Sequence, residues 1–444
     1  MINKGVIVVG AGAGGMMAAG RAAGEGAGVL LLEKTARPGK KILVSGKGRC
    51  NVTNVKELDG FIAAFGPNGR FLHSAFNHFF RDDLLAFLKR YGVETRVGPD
   101  GRIFPASDNA GDVVRALEKY LSDNGVRVQT GAGVTGILVE KGIVAGVQAG
   151  QKIYPAGAVV LAAGGASYPA TGSTGDGYRM AAALGHKITR LRPALAPLEV
   201  FERERAGRMQ GASLRNVRLT AFRCSADEIK PSLVPAKDSG RGIPGKKHRL
   251  PVIESRTGDM MITHFGLGGP VTLLMSLAIG DALEQGPVSV SIDLEPDISH
   301  GELRQKLQAD FVRYSRRSYQ NILGILLMPK LAGLFAEMTC VPPEKRGSEI
   351  TAPERERLLS LLKSFRFNIK APLPLADAMV TAGGVCLDEI DPRTMASRLV
   401  AGLYFCGEVM DLDAETGGYN LQAAFSTGYA AGGSAAAFTA GFLR

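Results

Sequence analysis

Gly5-Val6-Ile7-Val8-Val9-Gly10-Ala11-Gly12-Ala13-Gly14-Gly15 stands near the start of the chain, runs into the small-residue stretch Met16 to Ala23, and is followed by Val29-Leu30-Leu31-Leu32-Glu33. The first apolar run reads as a buried parallel strand, the Gly/Ala/Met stretch as a helix, and the second run as another strand. Gly-x-Gly-x-x-Gly therefore falls at the turn of a β-turn-α-β unit. Gly10 permits a tight turn, Gly12 lets the backbone approach a pyrophosphate, and Gly15 lets the helix pack closely on the strand. The helix start, with the backbone of Ala13 and Gly14, offers N–H groups and a positive dipole end to phosphates. Glu33 follows roughly 20 residues on, where a carboxylate accepts ribose hydroxyls and repels a 2′-phosphate, so NADP is disfavoured at this site. The motif alone does not choose between FAD and NAD.

Composition sets the bounds. At roughly 100–200 residues per domain, 444 residues make two or three domains. With 45% hydrophobic and 21% charged residues, a packed core forms and global disorder is excluded. The net charge of +11 suits an anionic partner, and an anionic cofactor accounts for part of it. The basic residues are spread out, with one modest cluster at Lys246, Lys247, His248 and Arg249 that reads as a solvated loop. The five cysteines form no Cys-x-x-Cys, which argues against a disulfide framework or a metal site and fits a reducing cytoplasm. Glycines interrupt the N-terminal apolar run, so it is not read as a signal peptide. No apolar stretch is long enough to span a bilayer.

A second Gly-x-Gly-x-x-Gly, Gly131-Ala132-Gly133-Val134-Thr135-Gly136, lies between the β-like stretches Val126–Thr130 and Ile137–Glu140 with no helix after it. It reads as a turn in a β-meander, not a second nucleotide site.

Beyond Glu33 comes Pro38-Gly39-Lys40-Lys41-Ile42-Leu43-Val44-Ser45-Gly46-Lys47-Gly48-Arg49-Cys50-Asn51-Val52-Thr53-Asn54. With little apolar periodicity it reads as a long polar loop rich in donors. Backbone N–H groups at Gly46 and Gly48, with Lys40, Lys41 and Arg49, suit phosphates; Ser45 and Asn51 suit a heteroaromatic ring. A solvated basic loop is the alternative. The stretch resembles the signature of a bacterial flavoprotein family that includes aminoacetone-oxidase-like enzymes and BaiN-type bile-acid reductases. The match continues through Gly101–Ser107, Ala162–Gly165, Thr171–Gly177, Gln210-Gly211, Thr263–Gly266, Gly402–Val409 and Thr416–Gln422, while Gly268 departs from the Ser usual in similar sequences.

The resemblance implies an α/β fold: a discontinuous Rossmann-like FAD-binding domain of glutathione-reductase type, with an inserted β-rich domain and a helical subdomain. The expected boundaries are 1–194 and 371–444 for the FAD domain, 195–298 for the β-rich insertion and 299–370 for the helices. Further FAD-binding residues implied are Lys34, Val134 against the adenine, Ala163, Gly164 and Gly165, Gly407, Glu408 on the ribityl hydroxyls, and Gly418, Asn420, Leu421 and Gln422 at a helix start facing the flavin pyrimidine. Such a helix start stabilises negative charge on the reduced ring.

By the same resemblance the chain is an oxidoreductase passing hydride between flavin N5 and a small molecule, expected to be an electron-poor C=C bond. Oxidation of an amine or aminoketone by O2, tRNA modification and a non-enzymatic flavin-binding role are the alternatives, and nucleic acid is not expected as a partner. NAD(P)H is expected as a transient reductant, since no separate domain for it is evident. The catalytic candidates are His264, in Thr-His-Phe-Gly, Arg49 and Tyr168; a turn-capping His264 and a core Tyr168 are the structural alternatives. Cys50 beside Arg49 is either a thiol of lowered pKa or a buried, inert one.

Overall fold

The computed structural model describes residues 5–229 and 251–441, so the basic cluster at 246–249 and most of the Gly/Pro/Lys-rich stretch around it lie outside the described residues. By internal contact the chain divides into two compact units, one of residues 1–192 with 375–444, the other of residues 193–374.

The first unit is built on a parallel sheet of β1 (Val6–Val9), β2 (Val29–Leu32), β3 (Arg127–Gln129), β4 (Ala158–Leu161) and β5 (Leu403–Phe405), in the order β5-β4-β1-β2-β3. Val6 pairs with both Val29 and Ala158, and Val159 with Leu403. β1 and β4 are buried at every position, which is why they are uniformly apolar rather than alternating. β3 is an edge strand, and there Arg127 and Val128 are exposed.

The second Gly-x-Gly-x-x-Gly lies not inside one meander but between two sheets. β3 belongs to the parallel sheet, whereas Val134–Glu140 begins an antiparallel sheet with Ile143–Ala149 and Lys152–Pro155. The short run before it, with no second neighbour, carried no signal of which sheet it joins.

Two helices carry the glycines. α1 (Ala13–Gly24) follows the first turn, and α2 (Tyr419–Gly441) closes the unit. A Cβ on Gly428 would stand 2.3 Å from the Gly14 carbonyl oxygen, and one on Gly432 2.3 Å from that of Ala18. Small residues four apart on each helix thus let the two backbones touch, which joins the end of the chain to its first helix.

The second unit is a closed antiparallel barrel in the order Leu198–Val200, Gly266–Gly268, Val252–Ile262, Ser213–Phe222, Val288–Asp293 and Phe365–Pro372. Its last strand returns after the helices His300–Arg313, Tyr319–Leu326, Pro329–Met338 and Ala352–Lys363, and barrel and helices share one apolar core. Among the described residues no helix is long and apolar enough to cross a membrane.

Candidate functional site

Because the strands are parallel, the carboxyl ends of β1, β2, β4 and β5 share one edge of the sheet, where α/β folds place their ligands. The glycines after β1 differ in what demands them. Gly10 has φ +101°, and a Cβ there would stand 2.6 Å from the Ala162 carbonyl oxygen; a Cβ on Gly15 would stand 1.8 Å from that of Gly10. Both are required by the fold. Gly12 has φ −82° and ψ −171°, open to any residue, and a Cβ built on it meets nothing within 4 Å. Neither strain nor protein packing calls for glycine at 12. The space kept clear at the start of α1, where no side chain caps the helix, fits the close approach of a pyrophosphate.

Glu33 is buried at the end of β2, its Oε2 accepting the Ala11 N–H at 2.8 Å and its Oε1 the Thr35 N–H at 2.7 Å. The carboxylate therefore also fixes the glycine turn. Beside it, the Gly131 and Ala132 N–H groups donate to the Thr35 and Glu33 carbonyls, leading to buried Val134. Lys34 pairs within the chain: its Nζ lies 2.6 Å from Thr174 Oγ1 and 2.5 Å from Asp176 Oδ2. Burial raises the Asp176 pKa, but the bonds from Lys34 and Thr174, with the charges of Lys34 and Arg179, outweigh it and hold the carboxyl below its ordinary range.

The 38–54 segment is not one long loop. It starts on the glycine turn, where the Gly39 N–H donates to the Ala11 carbonyl at 2.8 Å. It then forms a short helix, Lys40–Val44, anchored by buried Ile42, with Lys40 half-buried at its start. Gly46, Lys47, Gly48 and Cys50 all take positive φ, Ser45 Oγ donates to the Ile42 carbonyl at 2.7 Å, and the strand Thr53–Asn54 follows.

Three bonds join this segment to the other end of the chain. Lys41 Nζ lies 2.6 Å from Glu408 Oε2 and 2.8 Å from Ser167 Oγ. Asn51, in the amide orientation its neighbours require, accepts from the Gly418 N–H at 2.9 Å and donates to the Ile103 and Thr53 carbonyls. Asn54 donates to the Gly417 carbonyl at 3.0 Å. Gly418 packs so tightly that a Cβ would stand 2.4 Å from the Thr53 carbonyl oxygen.

Several side chains expected on the cofactor also bond within the chain. Asn420 is paired with the Ala414 backbone through both amide atoms, at 2.9 and 3.0 Å, and holds the loop before α2. Glu408 also accepts the Thr381 N–H at 2.9 Å. A Cβ on Gly165 would meet Thr381 and Glu408 within 3 Å, Gly164 has φ +69°, and Ala163 is half-buried beside them. Gly407, φ +72°, donates its N–H to Thr427 Oγ1 at 3.0 Å. Leu421 is half-buried, and Gln422 is buried with its Nε2 on Ser426. The Oε1 of Gln422 and the Oγ1 of Thr53 are buried without a hydrogen-bond partner in the chain, which leaves bonding capacity unmet on the segments that meet at Gly418. Thr53, Asn54, Ser167 and Thr381 were not foreseen as site residues; only their polarity beside glycine runs could have flagged them.

His264 lies in the barrel unit, exposed and edge-on to Phe265, and does not cap its turn: Thr263 does, accepting the Gly266 N–H at 3.1 Å. Arg49 is exposed, with its guanidinium 4.7 Å above the Phe104 ring. Tyr168 is exposed rather than in the core. Cys50 is wholly buried, and burial pushes its thiol up to about 12, against a smaller effect of Ser45. The inert alternative therefore holds for Cys50, since a neighbouring arginine does not offset that loss of solvent.

Residues 4–434 match the family model described as HI0933-like protein Rossmann domain. The chain is 31% identical over 434 residues to the 3-dehydro-bile acid delta(4,6)-reductase of Clostridium scindens, covering 97% of this chain and 98% of that one. It is 28% identical over 432 residues to the ribosomal RNA dihydrouridine synthase of Escherichia coli, covering 96% of each. Among solved structures, a quinol-fumarate reductase with menaquinol molecules matches in fold at TM-score 0.50 and 18% identity, over 98% of this chain and 71% of that one.

Proposed function

The chain belongs to the HI0933-like Rossmann-domain family, and from that premise we propose that this FAD-dependent oxidoreductase reduces a C=C bond conjugated to a carbonyl. The observation that carries the cofactor's place is Gly12, where neither backbone strain nor packing within the chain calls for glycine and the uncapped start of α1 stands open. When bound, FAD supplies the hydride chemistry. The chain's part is to hold it. Gly12 and the start of α1 would hold the pyrophosphate, Glu33 and the Val134 turn the adenosine, and the segments of Lys41, Asn51, Glu408 and Gly418 the flavin end. NAD(P)H serves as a transient reductant.

The bile-acid reductase relative favours a small enone as substrate. A second substrate is favoured by a separate observation. The Escherichia coli relative is named for dihydrouridine in ribosomal RNA, and the net charge of +11 suits a polyanion. A uracil ring carries its C=C bond conjugated to a carbonyl, so the chemistry asked of the site is the same.

Photoreduced holoenzyme is mixed anaerobically with a cyclic enone or with a uridine-containing RNA, and oxidised holoenzyme is mixed separately, in air, with a small amine. Reoxidation of the flavin with formation of one equivalent of saturated product is expected with the enone or the RNA. Aerobic peroxide release with the amine, and no reduction of either C=C substrate, would contradict the proposal.

A further inference from the structure

We propose that Tyr168, the residue after the Ser167 that bonds the Lys41–Glu408 pair, is a substrate-gripping residue whose ring stacks on the flat face of the conjugated substrate. The proposal deepens the reductase assignment and rests on it.

Ser167 is wholly buried, with its Oγ 2.8 Å from Lys41 Nζ and 3.3 Å from Glu408 Oε1. One residue on, the chain turns outward. Tyr168 is 38% exposed, belongs to no apolar core cluster and makes no ring-to-ring contact among the described residues. Its backbone sits at φ +52° and ψ +62°, in the left-handed region. It is the sole aromatic among the described non-glycine residues with positive φ. A bulky side chain there is disfavoured relative to glycine.

The bend is enforced from both sides. The Tyr168 N–H donates to the Ala376 carbonyl at 3.1 Å, and its own carbonyl accepts the Thr171 N–H at 2.9 Å and the Thr171 hydroxyl at 2.7 Å. Glycine satisfies the same three backbone bonds without strain, so the hydrogen bonding of this bend does not itself call for an aromatic residue. Strain kept in place by surrounding bonds points to a role in the ligated state.

The segments that meet at Ser167 also carry exposed apolar side chains, which suits an apolar, flat ligand. Met379, whose carbonyl lies 3.3 Å from Ser167 Oγ, is 42% exposed, and Val44, one turn along the helix from Lys41, is 53% exposed. A conjugated enone and a uracil are both planar π-systems, and a tyrosine ring packs on either.

The experiment compares wild type, Tyr168→Phe, Tyr168→Ala and Tyr168→Gly as FAD-loaded enzymes in the reduced-flavin assay with a cyclic enone and with a uridine RNA. The expected loss in kcat/KM is about tenfold for the Ala and Gly variants, mostly in KM, with Tyr168→Phe restoring activity to within about threefold. FAD content is unchanged throughout, and the thermal midpoint of Tyr168→Gly equals or exceeds that of wild type. Wild type active and Tyr168→Ala equally active overturns the role of Tyr168 alone. So does a Phe variant as poor as Ala, or activity lost only in step with FAD or with the thermal midpoint. Wild type inert toward both substrates overturns the reductase assignment and this role with it.

Discussion

Lys41 Nζ lies 2.6 Å from Glu408 Oε2, an ion pair between residues 367 positions apart. It fastens the short helix Lys40–Val44 to the carboxyl end of β5. Asn51 on the Gly418 N–H, Asn54 on the Gly417 carbonyl and Gly14 against Gly428 repeat the same joint at three other places.

The pair is 29% exposed at Lys41 and 19% at Glu408, so solvent screens part of its attraction. Lys41→Met and Glu408→Gln are each expected to cost about 1–2 kcal/mol and to lower FAD occupancy. The double variant should lose less than the sum, by about 1 kcal/mol in a denaturant-midpoint cycle. Strictly additive losses with full flavin absorbance would show that the contact does not hold the site.

Acid should weaken the first unit through His186. The ring is buried, with Nδ1 3.0 Å from Glu389 Oε2 and Nε2 2.9 Å from Ser397 Oγ. Burial pulls its pKa below 6.5 by more than Glu389 raises it. The unfolded chain therefore binds the proton first as pH falls. Stability from the neutral ring is complete above pH 6.5 and declines as pH drops from there through the depressed folded value. The thermal midpoint should be lower at about pH 5.5 than at about pH 7.5, and His186→Gln should narrow that gap. An unchanged gap in the variant would remove His186 as its source.

Thiol labelling separates the cysteines. Cys50 and Cys406 are buried, and burial pushes each up to about 12, while Cys340 is exposed. Iodoacetamide at about pH 7.5 should modify Cys340 first and reach Cys50 and Cys406 only in denaturant, as peptide mass spectrometry would show. Modification of Cys50 in the native enzyme would contradict its burial.

The sheet was legible where one physical requirement sets the sequence. Val6–Val9, buried on both faces, admits only apolar residues and reads as a strand from sequence; Ala158–Leu161 is apolar for the same reason. The helix Pro270–Leu283 was not, because it is apolar nearly all round and shows no 3.6-residue period inside a region rich in strands. Lys40–Val44 hid for the opposite reason, with only Ile42 buried in five residues. Within the site, the sequence named the segments that meet but not what each side chain does. Asn420 and Lys34 have the donors a cofactor needs, and in the structure they also bond within the chain, to Ala414 six residues away and to Asp176. Such pairing depends on contacts 142 residues apart in the case of Lys34, which no local pattern encodes.

The most direct test of the account is flavin retention by Gly12→Val beside Gly15→Val. The backbone at 12 accepts any residue and nothing of the protein stands within 4 Å of a Cβ there, whereas a Cβ at 15 would collide with the Gly10 carbonyl. Gly12→Val should fold, with wild-type circular dichroism, and come out colourless, while Gly15→Val fails to fold. A folded Gly12→Val enzyme carrying a full equivalent of FAD would contradict the placement of the dinucleotide on that turn.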